Sequence, residues 1–111
     1  MEKVLFVDDL KDPEMYFGYD SEIPWAKVGA EALKMWAEGD YDTVYLDNDL
    51  GWGPQGYKVL ESMIEIRIPK KVYGITYNPV AMKRMMDICK QFGIGFEAGL
   101  TISDRESRGL F

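Results

Sequence analysis

The chain has 111 residues, 47% hydrophobic and 29% charged, the balance of a folded globular chain rather than a disordered one. Its formal net charge of −6 disfavours bulk attraction to DNA, RNA or an anionic membrane. It has no histidine, which removes the usual neutral-pH proton shuttle, the Ser/His and Cys/His nucleophile pairs, and histidine-based zinc sites.

The length fits one domain over residues 1–111. No run of about 18 apolar residues occurs, so no transmembrane helix is expected. No signal-peptide pattern opens the chain. Its one cysteine, Cys89, leaves no internal disulfide and points to a cytosolic setting.

In chain order, Lys3 to Val7 reads as a first strand. Leu10 to Glu22 carries Pro13, Gly18 and several polar residues without a sustained helical period, and reads as a long loop with at most one turn. Its aromatics Tyr16, Phe17 and Tyr19 should pack down or meet a partner. Pro24 to Val28 is a short strand. Gly29 to about Glu38 is a helix with Ala32, Leu33 and Trp36 on one face, ended by Gly39. Thr43 to Asp47 is the third strand. Pro54-Gln-Gly opens a helix to about Ile66, with Val59, Leu60, Met63 and Ile64 inward; Pro69 lies beyond it. Val72 to Thr76 is the fourth strand. Asn78-Pro79 supplies a cap residue and a proline at the first helical position. The helix it opens runs to Phe92, with Ala81, Met85, Ile88, Cys89 and Phe92 at helical spacing, and Gly93 ends it. Ile94 to Glu97 is a fifth strand, and 99–111 is a short helix or a loose tail.

Alternating strands and helices predict an α/β fold: a doubly wound, five-stranded parallel sheet of order 2-1-3-4-5, flavodoxin-like, in which a long loop replaces or shortens the first helix. Val4 to Val7 ends in Asp8 and Asp9; Val44 to Leu46 ends in Asp47, with Asp49 two residues on. Such sheets bind ligands at the carboxyl ends of their strands, at the switch point between strands one and three. Four carboxylates meeting there cannot all stay ionised unless something positive joins them. A divalent metal, magnesium first among the candidates, would do so and could hold a phosphate. Asp12, Asp20, Asp40 and Asp42 read as surface acids of loops.

These residues resemble the receiver domain of response regulators, with Asp8 and Asp9 as its paired metal-binding acids, Asp47 as its phosphoacceptor and Thr76 as its hydroxyl residue. A receiver has a lysine just after strand five; here that stretch is Phe96-Glu-Ala-Gly-Leu-Thr. The chain is more similar to the receiver-derived family named for cyclic-phosphate processing, small proteins of bacteria and phages. Leu5-Phe6-Val7-Asp8-Asp9-Leu10-Lys11-Asp12-Pro13 resembles its LFLDDxRxP. Leu46-Asp47-Asn48-Asp49-Leu50-Gly51 with Gly56-Tyr57 resembles its LDHDLG and GY. Ile75-Thr76-Tyr77-Asn78-Pro79 with Arg84-Met85 resembles its HSxNP and RM. Asn48 and Ile75 stand where that family has histidines, the acid and base its activity would use. The resemblance implies the bacterial cytosol, with a phage origin as an alternative.

Together these readings make Asp8, Asp9 and Asp47 metal ligands and Asp47 and Asp49 the catalytic carboxylates, with Asp49 as ligand or general base. Asn48 and Thr76 would orient phosphate oxygens. Asn78 is a helix cap that could also touch ligand. Trp52 and Tyr77 either stack a ligand's base or cover the loop. Arg67, Lys70, Lys71, Lys83, Arg84 and Lys90 read as a solvated face, and Met82, Met85 and Met86 as adaptable filler. The leading function is binding, and potentially hydrolysis, of a phosphate-containing small molecule such as a cyclic phosphate or nucleotide. A non-catalytic sequestering or protein-interaction module is the alternative. A phosphorylatable stand-alone response regulator ranks third, because the lysine is missing.

Overall fold

Two four-residue runs, Val-Leu-Phe-Val and Thr-Val-Tyr-Leu, set the centre of the molecule. The computed structural model describes residues 2–19 and 21–109. Its elements are β1 (Val4–Val7), α1 (Glu14–Phe17), β2 (Trp25–Ala26), α2 (Gly29–Glu38), β3 (Thr43–Leu46), α3 (Gly56–Ile66), β4 (Lys71–Gly74), α4 (Pro79–Phe92), β5 (Gly95–Ala98) and α5 (Ile102–Ser107). The strands form one parallel sheet of order β2-β1-β3-β4-β5, the order expected. Phe6 lies opposite Trp25, Val4 opposite Thr43, Thr43 opposite Lys71, and Lys71 opposite Gly95. The chain leaves β1 toward one edge and β3 toward the other, so a crevice opens between their carboxyl ends.

Successive strand residues face opposite ways. On one face Leu5, Val7, Val44, Leu46 and Val72 pack against Ala32 and Trp36 of α2, Val59, Leu60 and Met63 of α3, and Met85 and Cys89 of α4. Burying this continuous apolar layer is the main term stabilising the fold. Burial also pushes the Cys89 thiol up to about 11, so it stays an inert packed group. The other face carries larger rings. Phe6, Tyr16 and Ile75 are buried there, with Phe17, Ile23, Trp25 and Tyr45 packed against them. Among the described residues no helix is long and apolar enough to cross a membrane.

The first connection is nearly all loop, with the single turn α1 in place of a full helix. Element ends depart from the sequence reading for identifiable reasons. β2 is two residues, not five: proline has no N–H, and Pro24 enters the ladder only through its carbonyl, which accepts from Phe6 N–H at 2.9 Å. β4 runs from Lys71 to Gly74, and one further backbone bond, Ile75 N–H to the Leu46 carbonyl, closes its pairing with β3 before the chain turns. β5 starts at Gly95, since the Ile94 N–H is spent on the Cys89 carbonyl, closing α4 in a Schellman turn around Gly93. α3 starts at Gly56, with Gln55 extended before it. The tail forms the short helix α5, capped by Thr101 Oγ1 accepting from Asp104 N–H; Leu110 and Phe111, like Asp20, lie outside the described residues.

Two side chains depart from the sequence reading as well. Phe92, expected in the inward stripe of α4, is 44% exposed. Of the loop aromatics, Tyr16 and Phe17 pack down and Tyr19 is exposed. Arg67 is not on a solvated face. Its guanidinium lies 4.6 Å over the Trp36 ring, and one nitrogen donates to the Trp36 and Tyr41 carbonyls.

Candidate functional site

The residue after each central strand is an aspartate that continues the ladder with its backbone and turns its side chain into the crevice. Asp8 N–H donates to the Ala26 carbonyl, and Asp47 N–H to the Val7 carbonyl. Asp8 is fully buried. Its Oδ1 accepts from the N–H groups of Leu10 (2.9 Å) and Lys11 (3.0 Å), folding the chain into a tight turn. Its Oδ2 is buried with no hydrogen-bond partner among the described residues. Carboxylate oxygens of Asp8, Asp9 and Asp47 lie within 4.8 Å of one another. Asp47 is buried, and its pKa rises from 3.8 to about 6, first because burial strips its water and then because Asp8 repels its charge.

These three acids line a cleft of about 460 Å³ with Leu10, Lys11, Asp49, Thr76, Tyr77 and Asn78. Asp49 is exposed on the rim, where its Oδ1 accepts from Gly51 N–H; it does not join the close cluster. Thr76 and Asn78 form the opposite wall. Thr76 Oγ1 accepts from Asn78 N–H at 3.1 Å, and Asn78 Oδ1 accepts from Val80 and Ala81 N–H as the cap of α4.

Two expected contacts lie apart from this cleft. Asn48 lines a neighbouring polar depression, and its Oδ1 accepts from Tyr57 N–H at 3.2 Å. Trp52 is 79% exposed and lines neither space. The start of α3 is pressed onto the acidic loop, with Gly56 N–H donating to the Asn48 carbonyl. A Cβ at Gly56 would overlap the Asp47 carbonyl oxygen, so only glycine permits this approach. Ile75 is buried with Phe6 and Tyr16. After β5, Gly99 lies flat against it: a Cβ there would sit 2.6 Å from Ile75 Cγ2, leaving no room for a side chain.

The sequence reading assigned no role to Lys11. Its ammonium donates to the Ile75 carbonyl at 2.6 Å, lies 3.5 Å from Asp8 Oδ2, and sits 4.6 Å over the Tyr77 ring. The available signal was its place three residues after Asp8, in the first acidic motif.

Solved structures share the fold. The response regulator domain of Thermotoga maritima CheB is 16% identical, with a TM-score of 0.64 over 97% of this chain and 88% of that one. The N-terminal domain of a response regulator/sensory box/GGDEF 3-domain protein from Carboxydothermus hydrogenoformans is 20% identical, with a TM-score of 0.63 over 78% of this chain and 74% of that one. A structure described as adenylate cyclase from Rhodopirellula baltica is 19% identical, with a TM-score of 0.67 over 97% and 84%. At such identities the likeness establishes the receiver fold alone. No curated protein matches in sequence. The model of the cyclic-phosphate processing receiver domain matches residues 3–91, which span all three motifs and most of the chain. The chain belongs to the cyclic-phosphate processing receiver domain family.

Proposed function

We propose that the cleft at the carboxyl ends of β1 and β3 binds a phosphate-bearing small molecule, such as a cyclic phosphate or nucleotide, through a divalent cation, magnesium first among the candidates. One observation carries this reading: the Asp8, Asp9 and Asp47 carboxylates crowd within 4.8 Å, and Asp8 holds an oxygen buried without a hydrogen-bond partner among the described residues. A set of hard oxygen donors suits magnesium, manganese or calcium. Asp8, Asp9 and Asp47 would hold the ion, and Asp49 on the rim would serve as a further ligand or as general base. When bound, the ion would neutralise the carboxylates, polarise a phosphoryl oxygen and acidify an attached water. Thr76 would orient a phosphate oxygen from the opposite wall. Asn48 and Asn78 would donate from their amide nitrogens, while backbone N–H groups bonded to their oxygens fix the orientation of both side chains. Trp52, exposed outside the cleft, would meet only a part of the ligand that projects beyond it.

A second reading, a non-catalytic module that sequesters the ligand or docks on a protein, draws on Asn48 and Ile75. Neither is an acid or base at neutral pH, and Ile75 is buried in the apolar layer. Proton transfer would then fall to carboxylates alone. General acid–base catalysis contributes about 10²–10⁴-fold, so weak turnover at best is expected.

The test is a titration with magnesium, manganese and calcium, read by melting temperature and by tryptophan fluorescence. An ion that binds only the folded state stabilises it by about 2.7 kcal/mol at one hundred times its Kd. Asp47→Ala should abolish that gain; equal thermal shifts in the two proteins would refute the shared site. Hydrolysis of cyclic nucleotides then separates the readings. Metal-dependent turnover lost in Asp8→Ala and Asp49→Ala supports the enzyme, and binding without turnover supports the sequestering module.

A further inference from the structure

Among the described residues lining the acidic cleft, Lys11 is the one cationic residue. Its side chain is 17% exposed, so its charge is held inside the site and is not a solvated surface group. The backbone N–H of Lys11 is pinned to Asp8 Oδ1, and its ammonium returns over the same carboxylate, 3.5 Å from Oδ2. The Ile75 carbonyl, at the far wall after β4, accepts from the ammonium at 2.6 Å. The lysine therefore bridges the cleft from the β1 loop to the β4 end. An ammonium has three N–H donors and no acceptor. One is used by Ile75, and the contact to Asp8 lacks hydrogen-bond geometry, so donor capacity remains inside the cleft. The Tyr77 ring, 4.6 Å away, gives the charge a second support.

We infer that Lys11 is an anion-binding residue of this cleft, which serves as counter-ion to Asp8 until a divalent cation takes that carboxylate and then turns its free donors to the ligand's phosphate. The inference rests on the metal–phosphate reading above. Two positive charges cannot share Asp8 without repulsion, so the cation and the Lys11–Asp8 contact compete, whereas the cation and an anion held by Lys11 support each other. Losing Lys11 should thus weaken the anion without weakening the cation.

The experiment measures magnesium binding by calorimetry and orthophosphate binding by ³¹P NMR under saturating magnesium, for wild type, Lys11→Gln and Lys11→Arg. A charge-assisted hydrogen bond to an anion corresponds to a change on the order of ten- to one-hundred-fold in affinity. Lys11→Gln should weaken orthophosphate by about that factor while binding magnesium as tightly as wild type or more tightly. Lys11→Arg, which keeps the charge and the donors, should retain most of the orthophosphate affinity. Wild-type orthophosphate affinity in Lys11→Gln would overturn the inference alone and leave the metal–phosphate reading standing. A wild type that takes magnesium but no orthophosphate would overturn both. Loss of magnesium and orthophosphate together in both variants would make Lys11 a scaffold residue and also overturn the inference.

Discussion

Asp47 carries the clearest electrostatic tension in the molecule. Its folded-state pKa of about 6 lies above its ordinary 3.8, so the folded protein binds a proton more tightly than the unfolded one does. The stability this contributes is fully present below about pH 4 and is lost as pH rises through 6. A shift of that size corresponds to roughly 3 kcal/mol in the metal-free protein. Asp47→Asn should remove this part of the pH dependence and leave the protein more stable than wild type at pH 7. Urea unfolding of both proteins between pH 4 and 7, without divalent ions, measures the difference; parallel curves would show that burial and Asp8 do not act on Asp47 as argued. Saturating magnesium should reverse the order at pH 7, because the charged carboxylate then has a partner.

At the scale of elements, the site depends on how closely the start of α3 meets the end of β3. Gly56 N–H holds the Asn48 carbonyl, Tyr57 N–H holds its side-chain oxygen, and the absence of a Cβ at Gly56 lets these bonds form. Gly56→Ala must push α3 off the acidic loop. Overpacking of this kind typically costs about 1–3 kcal/mol, and here it should also reduce magnesium affinity by moving Asp47. Denaturant unfolding with a magnesium titration checks both effects. Unchanged metal affinity in a destabilised Gly56→Ala would mean that the loop holds its shape without α3. The α4 start serves the opposite wall in a similar way, since Thr76 and Asn78 use one oxygen each to order the turn that lines the cleft.

For the whole molecule, the two sheet faces are stabilised differently. Three helices of ten or more residues cover one face, while the other relies on the one-turn α1 and the six-residue α5. Aromatic rings compensate: Tyr45 stacks on Tyr73 at 4.4 Å, and Phe6 meets Tyr16 at 5.4 Å. Arg105 links α5 to α1 by donating to the Tyr16 carbonyl at 2.6 Å across 89 residues. Arg105→Ala should cost about 1.5–3 kcal/mol, the range for a hydrogen bond from a charged donor. Hydrogen exchange should show faster opening at α1 and α5 and unchanged protection in α2 and α3. Uniform acceleration across all helices would instead mean that both faces unfold as one unit.

Local chemistry was enough to read the element order, the sheet order and the strand-end aspartates, because these follow from side-chain period, turn residues and the handedness of crossovers within a few residues. Val4 to Val7 followed by Asp8 carries its own meaning: an apolar strand that ends in a charge must end at the sheet's rim. The shape of the cleft did not follow in this way. Lys11 meets a carbonyl 64 residues away, Arg67 closes over Trp36 and Tyr41, and the oxygen of Asn48 is taken by a helix start nine residues on. The short span of β2 was likewise decided at a distance, because Pro24 meets Phe6 only through its carbonyl. Such partners are named by no periodicity. They are chosen when the closed chain forces each buried donor and acceptor to find a mate, so only the tertiary structure could reveal that a lysine sits among the aspartates.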